Sequence, residues 1–545
     1  MLRLLVISLA CGSVAWAGPK EVEYLFPAGA QRGSTVTVRV PELGDKAQVW
    51  TDHTELKVKV IGKDQVQIST AKEVPLGLHW LRFYDAKGAS SPRWFSVGVL
   101  TEARETEPNH TFSTAMPVDH LPVCMNGVLE EESCLDFFTL QLNAEDTLTA
   151  ALEAYQLGSE VDAYLELYDA THQIVATAHD GRSLDPVLTY AVPKSGQYIL
   201  QVAGFLHPPS STVKYAGAES LVYRLHLHQQ PVTTHCYPAA VSRTQTTPLL
   251  LLGSGELAAS SRNAEVLAKD WPVEPIIQPL EVPMALAPLP VWVTDAVIQK
   301  ESEPNDIAPR ATPLAMNAVM AGCLDSVMDT DSYTFQVKQG QFYRLELHAR
   351  DLLLPLDGYL TLYDGDKILA ENDDADGLDS DPVLSWKATL DGTVRVVVSS
   401  LLTPSGPGAQ YILCLKPGEE PLEAQITTGS VALAAGKTAE IKGKLIAQHG
   451  YSGKIRAQLQ NLPFGLSADA VEVKSENGAE FTLTLRAAKN VRDWSGPIQL
   501  ALWAEDKDGL SITVLGHHLP RGEAQRGRTT LDKIEHIWVT LSAQK

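Results

Sequence analysis

The sequence is short of positive charge, of cysteine and of long apolar runs, and each shortage excludes something. Lys and Arg number 44 against 66 Asp and Glu, a formal net charge of −22. That balance argues against nucleic acid and anionic membrane surfaces as partners, because both need a basic face. It leaves cations, calcium above all, as the natural small partner. The cysteines number only 6 and none falls in a C-x-x-C pair, so a zinc ribbon is excluded. Beyond the first residues no apolar stretch approaches the ~20 residues of a membrane span. Pro248-Leu249-Leu250-Leu251-Leu252-Gly253 is a buried strand at most. Catalytic signatures are missing as well. Glu535-His536 lacks the rest of H-E-x-x-H, and Gly253-Ser254-Gly255 lacks the spacing of a G-x-S-x-G elbow. Neither a P-loop nor a G-x-G-x-x-G turn follows a strand.

What is present begins with a leader. Arg3, the apolar residues from Leu4 to Ala10, and the small-x-small site Ala15-Trp16-Ala17 read as a secretory signal peptide over 1–17. A lipidated Cys11 is the lesser alternative, since the Leu usual three places earlier is absent. The chain is therefore expected to be exported: extracellular, at the cell surface or in the periplasm. Export makes disulfides available. Cleavage leaves Cys124, Cys134, Cys236, Cys323 and Cys414. Cys124 with Cys134, and Cys323 with Cys414, are candidate disulfides, with Cys236 left single or pairing between chains. The alternative is that all five are small buried apolar residues.

The strongest signal is an internal repeat. Glu105-Thr106-Glu107-Pro108-Asn109 recurs as Glu301-Ser302-Glu303-Pro304-Asn305. Asp136-Phe137-Phe138-Thr139-Leu140 recurs as Asp331-Ser332-Tyr333-Thr334-Phe335, and Tyr164-Leu165-Glu166-Leu167-Tyr168-Asp169 as Tyr359-Leu360-Thr361-Leu362-Tyr363-Asp364. Asp185-Pro186-Val187-Leu188 recurs as Asp381-Pro382-Val383-Leu384, and every pair is offset by 195 or 196 residues. Register held across a whole module means duplication. The unit in front is duplicated too: Phe26-Pro27-Ala28 matches Tyr237-Pro238-Ala239, and Phe95-Ser96-Val97 matches Val291-Trp292-Val293. The second front unit is worn. Six prolines between Trp271 and Pro290 allow edge strands or an extended segment but no central strand.

Strands with period-two alternation and turn signals run throughout, so the fold is expected to be all-β, a tandem array of β-sandwich and jelly-roll modules. The expected division is 18–100, a β unit that resembles immunoglobulin-like modules; 101–230, the first repeated module; 231–300, a degenerate proline-rich unit of the same resemblance or a linker; 301–418, the second repeated module; and 419–545, a further unit that resembles immunoglobulin-like modules.

The repeated modules resemble the bacterial pre-peptidase C-terminal domain, a jelly roll related to the collagen-binding modules of secreted collagenases. The matching residues are Glu-Pro-Asn at 107–109 and 303–305, Asp-x-[Phe/Tyr] at 136–138 and 331–333, and Leu-Tyr-Asp at 167–169 and 362–364. Asn372-Asp373-Asp374 and Gly392 complete the pattern in the second copy. The resemblance implies calcium held by Glu303, Asn305, Asp306, Asp329 and Asp331, with Asp373 and Asp374 as further candidates. In the first copy Glu107, Asn109 and Asp136 remain, but His110 stands where the second has Asp306, which weakens the calcium expectation there. The densest acidic run, from Asp364 to Asp381, is a candidate for calcium in its own right; within it Asn372 to Gly377 partly matches an EF-hand loop, but Val383 occupies the position of the bidentate Glu, and the EF-hand reading is rejected.

The bland readings are kept elsewhere. His226-Leu227-His228 and His517-His518 are expected to be surface histidines. The matched tyrosines at 164, 168, 359 and 363 are expected to be core packing rather than a ligand platform. The functional expectation is an exported, non-catalytic binding or structural protein, adhering to or organising extracellular protein or polysaccharide. One alternative is an accessory or targeting subunit of a secreted peptidase. A second is a hydrolase with an unrecognised site.

Overall fold

The computed structural model describes residues 21–543 apart from 45, 180, 183, 207–213, 254–262, 274–275, 286, 375–380, 401–405, 407, 418–421, 447–453, 506–510 and 519–533. The expected leader and its expected cleavage site lie outside the described residues, as do Asp376 and Asp379. The chain is all-β, with no α-helix among the described residues and only short 3-10 turns such as Ala308–Arg310 and Arg350–Leu352. No described helix is long and apolar enough to cross a membrane.

The first unit packs two sheets. Gly29–Gln31, Arg93–Gly98, Gly77–Asp85 and Gln48–Thr51 run side by side in one, and Thr35–Arg39, Gln65–Thr70 and Leu56–Val60 in the other. Their inward positions, among them Val38, Ile68, Leu81, Phe83 and Phe95, are fully buried. Alternation places every second residue of such strands in the core.

Each repeated module is a pair of five-stranded sheets with the same strand order. In the first copy one sheet runs Met116–Pro117, Asp136–Leu142, Gly196–Leu206, Val161–Tyr168, Ile174–Ala178. In the second it runs Thr312–Pro313, Asp331–Val337, Gly392–Ser400, Gly358–Asp364, Lys367–Asn372. The facing sheets are Glu102–Arg104, Val123–Val128, Val222–His228, Thr147–Glu153, Val187–Ala191, and Ile298–Lys300, Val319–Cys323, Gln410–Pro417, Phe342–His348, Val383–Lys387. The duplication read from sequence is thus a duplication of topology.

The second front unit is a small sandwich, not a linker. Two three-stranded sheets enclose Cys236, Val241, Leu249, Leu251, Leu280, Val291 and Val293. Contrary to expectation, Leu289–Thr294 is a central strand, between Ala240–Ser242 and Ile277–Leu280. Its Pro290 is tolerated because it pairs only with Pro279, and the third strand begins alongside Trp292. The final unit wraps ten strands around Ile441, Leu483, Ile498, Leu500, Ile537 and Val539.

All five described cysteines are buried free thiols, so neither candidate disulfide forms. In the second module Val319 pairs with Cys414 and Cys323 with Gln410. The two thiols stand four register positions apart, about 13 Å along the strands, beyond the ~7 Å that a disulfide tolerates between Cα atoms. In the first module Cys124 alternates with the core-facing Val123 and Met125 and so leaves the sandwich interior, whereas Cys134 packs within it.

The tyrosine expectation is also corrected. Leu360 and Leu362 are fully buried, while Tyr359 and Tyr363 lie half-buried on the outer face of the same strand. Tyr164 is covered on that outer face by the rings of His179, Phe205 and Tyr215. The branched aliphatic side chains win the interior, and the aromatic ones keep their hydroxyls at the edge of water.

Candidate metal centres

Each repeated module gathers carboxylates where its Glu-x-Glu-Pro-Asn segment crosses the start of the Asp-x-[Phe/Tyr] strand. In the second copy Glu301, Glu303 and Asp331 bring one oxygen each within 4.8 Å of one another. Asn305 is fully buried beneath them, its backbone N–H donating to Glu303 Oε2 at 3.1 Å and its side-chain Oδ1 accepting from the Ser332 backbone N–H at 3.3 Å. Glu301 Oε1 accepts from the Cys323 amide at 2.6 Å, and Glu301 Oε2 from the Tyr333 hydroxyl at 2.8 Å. Tyr333 and Tyr411 share a hydroxyl contact of 2.6 Å, and Tyr411 donates to Asp331 Oδ2. Asp331 Oδ1 is buried and meets no N–H or hydroxyl donor among the described residues.

Asp306 and Asp329 close the outer side, their carboxyls facing each other. Burial first, and then the neighbouring Glu301 charge, pushes Asp331 well above the ordinary carboxylate range, and burial raises Glu301 to about 7 against the opposing hydrogen bonds from Tyr333 and Cys323. Five of the seven nominated residues, Glu303, Asn305, Asp306, Asp329 and Asp331, are therefore brought together. Asp373 and Asp374 are not. They follow Asn372, which lies three strands from Asp331 across the sheet, a separation of about 14 Å. Asp374 instead has Asp357 and Arg350 for neighbours.

The first copy keeps the frame. Glu105, Glu107 and Asp136 again lie within 4.8 Å of one another, with Asn109 buried beside them. Tyr223 donates to Asp136 Oδ2 at 2.6 Å and is 2.9 Å from Glu105 Oε2. Burial pushes Glu105 up to about 9 and Asp136 up to about 6. His110 and Cys134 take the places of Asp306 and Asp329. The Cys134 thiol, pushed up to about 12 by burial and by Asp136, lies 3.4 Å from Asp136 Oδ1.

Sequence reasoning passed over Glu105 and Glu301, although both stand in the quoted repeat, and over Cys134 as a donor. It also misread Asp381. That carboxylate is buried and accepts the backbone amides of Ala349, Arg350 and Asp351 at 2.9, 3.0 and 3.0 Å. Asp185 does the same for Ala154, Tyr155 and Gln156 at 3.0, 2.8 and 3.1 Å. The Asp-Pro-Val-Leu repeat is a loop clamp rather than part of an ion site.

Two gaps lie between units. One, about 490 Å³, is lined by Glu153, His226, His228, Arg32, Glu281 and Met284. His226 is therefore not a surface histidine: it is buried 3.3 Å from Glu153, and burial holds His228 down at about 4. His517 and His518 are likewise buried, His517 lying 3.0 Å from Glu423. The other gap, about 810 Å³, is lined by Trp50, Trp80, Trp94 and Trp538 with Asp52, Arg82 and His536. Trp80 stacks on Trp94, and Trp50 meets Trp538 edge-on at 6.1 Å.

No family model matches the chain. Over 127 residues, 23% of its length, the chain is 34% identical to a probable subtilase-type serine protease of Deinococcus radiodurans, of which that stretch spans 16%. Among solved structures, the pre-peptidase C-terminal domain of a Bacillus anthracis collagenase is matched over its whole length and 21% of this chain, at 19% identity and a TM-score of 0.17. The four N-terminal immunoglobulin domains of Dscam1 are matched over 95% of their length and 90% of this chain, at 9% identity and a TM-score of 0.16.

Proposed function

We propose that the protein is an exported, non-catalytic string of β modules that binds extracellular polysaccharide or protein, with calcium held in its second repeated module. The observation that carries the binding role is the tryptophan-lined gap. Flat aromatic faces beside a few charged groups form a surface suited to sugar rings or to aromatic and basic side chains of a protein. The test is retention of the full chain on insoluble chitin, cell-wall material and collagen. Retention on one of them, lost on Trp80→Ala together with Trp50→Ala, supports the reading. Retention on none counts against it.

Calcium fits the second module because its donors are all oxygens and because Asp331 Oδ1 is buried without a donor. Glu301, Glu303 and Asp331 would hold the ion, with Asp306 and Asp329 on its outer side. The bound cation would neutralise the crowded carboxylates and tie the segment entering the module to its first long strand. Calorimetric titration of the full chain with calcium tests this directly: Asp331→Asn together with Glu301→Gln should abolish the tight phase.

A second reading, an accessory subunit that targets a secreted peptidase, is favoured by the stretch shared with the probable subtilase-type protease. Co-elution with a peptidase partner would support it. Hydrolysis of generic peptide or ester substrates, removed by a change at Glu153 or His226 in the polar gap, would overturn the non-catalytic reading.

A further inference from the structure

The first repeated module has exchanged two hard donors for softer ones, and the exchange is geometrically coherent. Cys134 Sγ lies 3.4 Å from His110 Nδ1 and 3.4 Å from Asp136 Oδ1. One donor atom from each of His110, Cys134 and Asp136 falls within 4.8 Å of the other two. A tetrahedral ion with Zn–S near ~2.3 Å and Zn–N or Zn–O near ~2.0–2.1 Å has donor–donor edges of about 3.5 Å. The two Sγ edges match that spacing without rearrangement.

The surroundings orient each donor. His110 Nε2 is 3.1 Å from Glu107 Oε2, so the imidazole gives its Nε2–H to the carboxylate and turns a bare Nδ1 toward Cys134. Tyr223 donates to Asp136 Oδ2 and leaves Oδ1 facing the sulfur. Asn109 is fully buried, and its Oδ1 has no hydrogen-bond partner among the described residues. Glu107 Oε1 is in the same state. Both oxygens belong to the segment that carries His110, and they are acceptors left over where a positive charge would be stabilised. Cys134 and Asp136 are buried while His110 is half-exposed, which gives an ion a way in.

We propose that His110 Nδ1, Cys134 Sγ and Asp136 Oδ1 bind a divalent transition ion of the zinc type, with a fourth position open to water or to Glu107. Thiolate and imidazole donors favour such an ion over calcium, whereas the all-oxygen cluster of the second module has the opposite preference. On binding, the Cys134 thiol loses its proton to solvent and the thiolate takes its place on the metal, one proton released per ion. The two copies of one module thus sort two classes of cation.

The test uses the full chain, stripped with chelator and titrated with cobalt(II) as a spectroscopic stand-in, then with zinc. We expect one cobalt per chain with a near-ultraviolet thiolate-to-cobalt absorption that zinc removes and millimolar calcium does not. Cys134→Ser should abolish that absorption and weaken zinc binding by about tenfold or more. Cys236→Ser should leave both intact. Should Cys134→Ser fail to fold, His110→Ala removes a half-exposed donor without opening the core and should weaken zinc by a similar factor. Absence of the absorption in the folded wild-type chain, its survival in Cys134→Ser, unchanged zinc affinity in His110→Ala, or displacement of cobalt by calcium would each overturn the proposal.

Discussion

Asp185 and Asp381 show how much one side chain can organise. Each takes three backbone N–H groups that a buried loop would otherwise leave without acceptors. Leaving a buried donor unsatisfied costs about 1–3 kcal/mol, so Asp185→Ala should lose about 3 kcal/mol in a denaturant melt, and Asp185→Asn less. The sequence displayed this residue twice within an obvious repeat, yet its role was not legible there, because the amides it holds come from a distant part of the chain. Glu105 and Glu301 were overlooked for a related reason: a Glu in a Pro-Asn turn reads as solvated, and only the tyrosine hydroxyls from a far strand show it half-buried and held. His348 gives a pH test. Its charge is favoured by Asp351 at 3.3 Å and Glu346 at 3.6 Å, which against the opposing effect of burial raise it to about 9. A folded value above the unfolded one of about 6.5 means that its contribution is complete below that pH and is lost as pH climbs through 9. The melting temperature should therefore fall between pH 7 and 10, and His348→Asn should flatten that slope.

At the scale of strands, alternation was legible but its direction was not. The Tyr-Leu-x-Leu-Tyr repeat has apolar residues on both parities, and pattern alone does not say which faces the partner sheet. Cysteine pairing failed similarly, since proximity of strands in the fold says nothing of register along them. Alkylation of the unfolded chain without reductant should label every cysteine, and a mass two units lower per pair would refute the free-thiol finding. Glycine makes a further strand-level prediction. A Cβ on Gly127 or Gly322 would lie 2.2 Å from the ring of Tyr223 or Tyr411. These glycines let the tyrosine hydroxyl reach over one strand to the carboxylates. Gly322→Ala should displace Tyr411 from Asp331, and a calcium titration should then register weaker binding along with a lower melting temperature.

For the molecule as a whole, the repeat in the sequence reappears as two modules of the same strand order, but the way the units dock was invisible in the sequence. Arg224 is fully buried between the first unit and the first jelly roll, paired with Glu153 at 2.9 Å and with Glu102, while Ser96 donates to the same Glu153 at 3.1 Å. No local pattern marks such a residue, because its partners lie far away in the chain. Removing one member of a buried pair costs about 3–5 kcal/mol, so Arg224→Ala should destabilise the first two units by about that much, read as an earlier transition in a thermal scan. The later pair of units joins differently. Trp292, which aligns with Ser96, packs its ring 4.2 Å from His348, under Lys416. A hydroxyl on a carboxylate at one junction and an indole on a cationic pair at the other make the two joints mutually incompatible. A nascent chain whose front halves were offered the wrong jelly roll would meet a cavity at one seam and a clash at the other, so tandem copies that share a topology are still kept from mispairing.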